Sequence, residues 1–104
     1  MSNLTQTVRA KLVSATNPKI YNLSMATANT EYSQSLTSGT KKILVRMRTL
    51  GRARFAFVVG GTTGSWITIE AGAVYSQDTL DLNGATIYLQ SNVAGQVAEI
   101  LEWT

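Results

Sequence analysis

Positive charge is concentrated in residues 41–55, where six of the fifteen residues are cations. These cations are Lys41, Lys42, Arg46, Arg48, Arg52 and Arg54. Ammonium and guanidinium groups at this density attract phosphate, sulfate or carboxylate groups. The sequence therefore predicts a surface that binds an anionic partner. A solvated outer face without a partner is the alternative interpretation.

The residue types that usually carry catalysis are scarce. The chain contains no cysteine and no histidine, so thiolate nucleophiles, Cys-ligated zinc and the commonest general base are missing. Two pairs of carboxylates remain, Asp78 with Asp81 and Glu99 with Glu102. Neither pair comes with a recognisable nucleophile or electrostatic stabiliser. We therefore expect a protein that is not an enzyme and that holds no metal and no cofactor.

The two halves of the chain carry opposite charge. Residues 1–54 hold nine cations and one acid, a net charge of +8, whereas residues 55–104 hold five acids and no cation, a net charge of −5. These halves could attract each other within one domain or between copies of the chain. Exposed ion pairs contribute only about 0–1 kcal/mol each, so charge would select a partner and apolar contacts would provide most of the affinity. The aromatic candidates for such contacts are Trp66, Tyr75, Tyr88 and Trp103.

Alternation of apolar and polar residues indicates the strands that position these side chains. Residues 42–48 and 53–59 predict two strands, whose apolar faces hold Ile43, Val45, Met47, Ala53, Phe55, Phe57 and Val59. Residues 49–52, with a glycine at position 51, predict a hairpin turn between them. Four of the cations would then project from one face of this hairpin, with Lys41 and Arg52 at its ends.

Six further strands follow from the same alternation and from the turn residues between them. They are expected at residues 19–27, 31–36, 66–69, 74–77, 85–90 and 96–103. About eight strands in 104 residues is the density of a sandwich or jelly roll, and a chain of this length has material for one core. The sequence predicts an all-β protein with a single domain over residues 18–104, an antiparallel β-sandwich of jelly-roll type.

Residues 1–17 allow two interpretations. Leu4, Val8 and Leu12 fit one helical stripe, but residues 4–12 also alternate, and Pro18 ends the segment. We expect an extended N-terminal arm or an edge strand. No apolar run is long enough for a secretion signal or a membrane span, so we expect an intracellular product without a membrane contact.

Three segments of the C-terminal half carry a resemblance. Residues 66–72, 87–91 and 94–103 read WITIEAG, IYLQS and AGQVAEILEW. They resemble small proteins of tailed-phage structural gene sets, which implies an all-β virion component made in the host cytoplasm. Size and fold are similar to those of capsid decoration, or cement, proteins, which bind the outer shell and stabilise it.

The sequence thus predicts a non-catalytic capsid decoration protein on the capsid exterior. Its expected partners are the major capsid protein or another virion protein, and copies of itself, with a trimer favoured. The expected contact residues are the six cations with Trp66 and Tyr75. A carbohydrate-binding, host-adhesion or tail-adaptor module is the alternative, because sugar rings stack on exposed Trp and Tyr. Phe55 and Phe57 are predicted on the face opposite the cations, which argues against a nucleic-acid stacking platform.

Overall fold

The computed structural model describes residues 17–78 and 85–104, which form eight β-strands and one short 3-10 turn at Gly61–Thr63. The strands are β1 (Pro18–Met25), β2 (Tyr32–Ser35), β3 (Lys42–Met47), β4 (Ala53–Ala56), β5 (Ile67–Ile69), β6 (Val74–Gln77), β7 (Thr86–Ser91) and β8 (Gln96–Trp103). The predicted all-β class is confirmed, with a strand in each of the eight expected places. The predicted arm at residues 1–17 lies outside the described residues except for Asn17. No helix in the described part of the chain could cross a membrane.

The strands form two antiparallel sheets with a jelly-roll-like order. The first sheet has the order β1-β8-β3-β6, and the second has the order β2-β7-β4-β5. Most connections therefore cross from one sheet to the other, as in a double-sheet jelly roll. The predicted antiparallel sandwich is confirmed in this form.

The core lies between the two sheets. Alternate residues of each central strand point inward, and Ile43, Val45, Phe55, Leu89 and Ile100 have no exposed surface. Burial of one such side chain contributes about 1.5–3 kcal/mol to the free energy of unfolding. Because both sheets supply these residues, each sheet leaves one outer face free to present other side chains.

The predicted hairpin of β3 and β4 is wrong. β3 pairs with β6 and β8 in the first sheet, and β4 pairs with β5 and β7 in the second. Residues 48–52 therefore cross between the sheets. Alternation shows which side of a strand is buried but not which strand lies beside it, and here the two apolar faces meet across the core.

The predicted strand at residues 53–59 is shorter than expected. β4 ends at Ala56, and the side chains of Phe57, Val58 and Val59 are 41%, 62% and 78% exposed. A left-handed Gly60 (φ 76°) turns the chain back, and a Cβ at Gly61 would lie only 2.6 Å from the Ala56 Cβ. This close approach requires glycine, and the three apolar side chains are left on the surface instead of in the core.

Candidate functional site

The clustered cations do not form one patch. Arg46 and Arg48 lie on the outer face of the first sheet, whereas Arg54 lies on the outer face of the second sheet. Arg52 lies in the connection between the sheets and pairs with Glu70 at 3.0 Å. The prediction of a single positive hairpin face is wrong because residues 48–52 cross the sandwich.

Arg46 and Arg48 share one carboxylate. The Nε of Arg46 donates to Glu99 Oε1 at 2.9 Å, and the Nε of Arg48 donates to Oε2 at 3.2 Å. Both hydrogen bonds lower the pKa of Glu99, and the one from Arg46 has the larger effect. The attraction between the basic and acidic halves therefore operates within the domain. Arg46, Arg48 and Glu99 together hold two positive charges and one negative charge, so this group carries a net positive charge.

An apolar row crosses the first sheet beside this group. Ile20 of β1 pairs with Leu101 of β8, which pairs with Leu44 of β3, so their side chains share the outer face. Ile20 is 68% exposed, and the other two are half-buried. A shallow groove of about 310 Å³ runs between this row and the pair formed by Arg46 and Glu99. We call the row and these two charged residues, with Arg48, the first-sheet face.

Trp66 and Tyr75, the two aromatic residues among the expected contact residues, have different roles. Trp66 is 40% exposed, and the Arg54 guanidinium stacks on its ring, 4.1 Å from the ring centre. Tyr75 is half-buried, and its ring centre lies 4.7 Å from that of Phe55 in the core. Trp66 is thus available to a ligand, whereas Tyr75 mainly packs the sandwich.

A polar cavity of about 300 Å³ opens on the outer face of the second sheet. We call it the second-sheet pocket, and its lining residues are Asn29, Arg52, Ala53, Arg54, Trp66, Thr68, Gln90, Ser91 and Asn92. β4, β5 and β7 form its floor, because Arg54 pairs with Thr68 on one side and with Gln90 on the other. The pocket therefore combines guanidinium, amide, hydroxyl and indole groups.

Glu31 holds the glycine-rich loop at one side of this pocket. Its carboxylate accepts hydrogen bonds from the backbone N–H groups of Gly60 (2.8 Å) and Thr62 (3.1 Å) and from the Thr62 hydroxyl (2.6 Å). The Thr62 hydroxyl and these amides lower the pKa of Glu31. Thr62 in turn accepts a bond from Arg54 Nη1 through its carbonyl at 3.1 Å. Glu31 was not among the residues predicted from the sequence, and its one distinguishing feature there is that it is the only acid in residues 1–54.

Glu99 and Glu102 do not form a carboxylate pair. They lie three residues apart on β8, so Glu99 faces outward and Glu102 is fully buried. Glu102 accepts hydrogen bonds from the Tyr21 hydroxyl and the Thr37 N–H (3.2 Å), and the Thr40 hydroxyl lies 2.6 Å from its Oε2. Burial raises the pKa of Glu102, but these donors outweigh it, so the pKa lies below its usual value. Glu102 therefore ties β8 to β1 and to the loop before β3.

The fold and these surfaces define an all-β protein of the double-stranded β-helix, or jelly-roll-like, class. A de novo designed double-stranded β-helix aligns with a TM-score of 0.52 at 18% identity, covering 86% of this chain and all of that one. A cupin-2 domain containing protein from Shewanella frigidimarina aligns with a TM-score of 0.43 at 14% identity, covering 80% of this chain and 66% of that one.

A structure from the disulfide-linked pili of Bacillus endospore appendages aligns with a TM-score of 0.45 at 15% identity, covering 85% of both chains. No protein-family model matches the sequence, and no curated protein matches it. At these identities the likeness to the designed protein establishes the fold alone.

Proposed function

We propose that the chain is a non-catalytic structural protein of a tailed-phage virion, a decoration protein that attaches to the capsid exterior through the first-sheet face. The observation that carries this proposal is the exposed apolar row beside a positive group on that face. The first-sheet face would bind an acidic surface of the major capsid protein. The resemblance of residues 66–104 to phage structural proteins supports the choice of a virion.

The apolar row would supply most of the affinity. Ile20 is 68% exposed, and full burial of an isoleucine contributes about 1.5–3 kcal/mol. Leu44 and Leu101 extend the contact across three strands. Leu44 and Leu101 lie on strands that are paired on both sides, and Ile20 lies on the edge strand β1, which pairs with β8 along its whole length, so attachment would require little reordering of the chain.

The arginines would select the partner and its orientation. Arg46 and Arg48 share Glu99, and their side chains are 59% and 48% exposed. This leaves a positive group that complements an acidic protein surface. Charge of this kind governs the rate and specificity of association more than the final affinity.

Contacts between copies of the chain would come from another part of the surface. Phe57, Val58 and Val59 form a continuous exposed apolar segment next to Gly60. Val58 and Val59 add little to the core, whereas the Phe57 ring lies edge-on to Phe55 with 4.9 Å between the ring centres. Burial against a second copy would remove the exposed parts of all three side chains from water. We propose this segment as the contact within a homo-oligomer, with a trimer as the expected form.

The test is attachment to capsids of the encoding phage that lack this protein. The wild-type chain should pellet with the capsids, and Ile20→Ser combined with Arg46→Ser should lose at least tenfold in occupancy. Val93→Ser is the matched control, because Val93 is also an exposed aliphatic residue (48%) but lies on the β7–β8 turn. Equal occupancy of all three proteins, or absence of the chain from purified virions by mass spectrometry, would refute the proposal.

A further inference from the structure

We propose that the second-sheet pocket binds an acidic saccharide, a sugar ring that carries a carboxylate, such as a uronic acid residue. The pocket lies on the outer face opposite the first-sheet face. In the proposed virion protein it would point away from the shell. The inference goes beyond the proposed function, and binding by the purified chain tests it independently.

The charge of the pocket favours an anionic ligand. Of the described residues that line it, Arg52 and Arg54 are charged, and none is an acid. The bond from Arg54 to the Thr62 carbonyl uses one of the five N–H donors of a guanidinium, so further donors can reach a carboxylate. Arg52 pairs with Glu70, but both side chains are more than half exposed (65% and 60%), so a ligand carboxylate can compete for this arginine.

The neutral lining groups match sugar hydroxyls. Asn29 and Asn92 bring side-chain amides, and Thr68 brings a hydroxyl. Gln90 is buried and its Oε1 already bonds the Thr62 hydroxyl at 2.9 Å, so it would offer its NH₂ group. Amides both donate and accept hydrogen bonds, as do the hydroxyls of a sugar. The exposed part of Trp66 offers an apolar surface for the C–H groups of the ring. Together these groups could contact every kind of atom that a sugar acid presents.

The size of the pocket limits the ligand. Its volume of about 300 Å³ lies at the lower end of the range for small-molecule sites, roughly 300–1,000 Å³. One or two sugar rings fit such a space. A longer polysaccharide would be bound through a single residue or its end.

The pocket is held in shape without a ligand. Glu31 fixes the loop at Gly60 and Thr62, the Thr62 carbonyl accepts a bond from Arg54, and Arg54 stacks on Trp66. Each contact restrains the next side chain. Pre-organisation of this kind reduces the entropy lost on binding.

A nucleotide fits less well than a sugar acid. Among the described residues that line the pocket, Trp66 is the only aromatic one, and Arg54 covers one side of its ring. Binding of single-stranded nucleic acid usually uses several aromatic side chains along a positive groove. The second-sheet pocket has two arginines in a compact cavity instead.

The first measurement titrates the purified full chain with a galacturonic acid oligomer and follows tryptophan fluorescence and calorimetry. A galactose oligomer of the same length, which lacks the carboxylate, and a single-stranded oligonucleotide are titrated in parallel. We expect saturable binding of the acidic oligomer and at least tenfold weaker binding of the neutral one. Equal binding of both sugars, preferred binding of the oligonucleotide, or binding of none of the three would overturn the proposal.

The second measurement places the ligand in the pocket. Arg52→Ser and Trp66→Ala, two exposed side chains, should each weaken binding of the acidic oligomer at least fivefold, and Arg54→Gln at least tenfold. Arg46→Ser is the matched control, because it removes the same charge from the opposite face. If Arg54→Gln fails to fold, the other two variants decide. Unchanged affinity in both of them, or an equal loss in Arg46→Ser, would refute this site.

Discussion

Replacement of Glu102 by glutamine should destabilise the protein much more than the same change at Glu99. Glu102 is fully buried, and its carboxylate accepts bonds from Tyr21 and Thr37 and contacts Thr40. In glutamine an NH₂ group replaces one of the two acceptor oxygens. This NH₂ group would face the hydrogen-bond donors that surround the carboxylate, so at least one hydrogen bond would be lost. Loss of a hydrogen bond to a buried charged group costs about 1.5–3 kcal/mol, so we expect a loss of about 2 kcal/mol.

A loss of this size is easily measured. For a domain of this length, about 2 kcal/mol lowers Tm by roughly 8–16 °C. Thermal unfolding at pH 7 should show this shift for Glu102→Gln. Glu99→Gln, on the same strand but facing solvent, should melt close to the wild type. Similar Tm values for the two variants would refute the reasoning from the buried acceptor.

Glu102→Gln should also change how the stability of the protein responds to acid. The pKa of Glu102 in the folded chain lies below 4.5, the ordinary value of a glutamate side chain. The ionised carboxylate therefore stabilises the fold above about that pH, and this stabilisation is lost as the pH falls towards the folded pKa. Wild type should lose Tm steeply below pH 4.5, and Glu102→Gln should lose less. Parallel pH profiles for both proteins would contradict the expectation.

Three further predictions concern residues whose position the structure decides. Phe55→Ala should lower the free energy of unfolding, measured in urea, by about 3–5 kcal/mol because the Phe55 ring is fully buried, and Phe57→Ala should lower it much less because Phe57 is 41% exposed. Equal losses for the two variants would place both rings in the core. Val58→Ser with Val59→Ser should reduce the mass in light scattering at low and high salt while the chain stays folded, and an unchanged mass would remove this segment from the interface. Glu31→Gln should speed amide hydrogen exchange in the glycine-rich loop that it holds, and unchanged exchange would show that the loop is held by other contacts.

Much of the local structure could be predicted because it is encoded by neighbouring residues. β8 was predicted and observed at Gln96–Trp103, and β6 at Val74–Gln77. In both, the period of two and the flanking turns specify a strand. Several predicted strands ran one or two residues too long, and the largest excess was at β4, where the close approach of Gly61 to Ala56 is a contact that no alternation pattern contains.

The candidate site was predicted less well because it depends on pairing between distant strands. The cations and Trp66 were predicted as contact residues, but Arg46 and Arg54 were predicted on one face. The structure separates them onto opposite faces, where each meets partners far away in the chain, Glu99 and Trp66. Glu31 was missed because its three hydrogen bonds are made to a loop about thirty residues away.

The sequence by itself determined the approximate positions of the strands, the buried side of β3 and of β4 as far as Ala56, and the all-β class, because hydrophobic alternation is a local property. Only the tertiary structure decided which strands pair, and therefore which polar side chains share a surface. The apolar row of Ile20, Leu101 and Leu44 exists because β8 lies between β1 and β3. Its members come from three distant parts of the chain, and backbone pairing in a sheet carries no short-range signature that would bring them together.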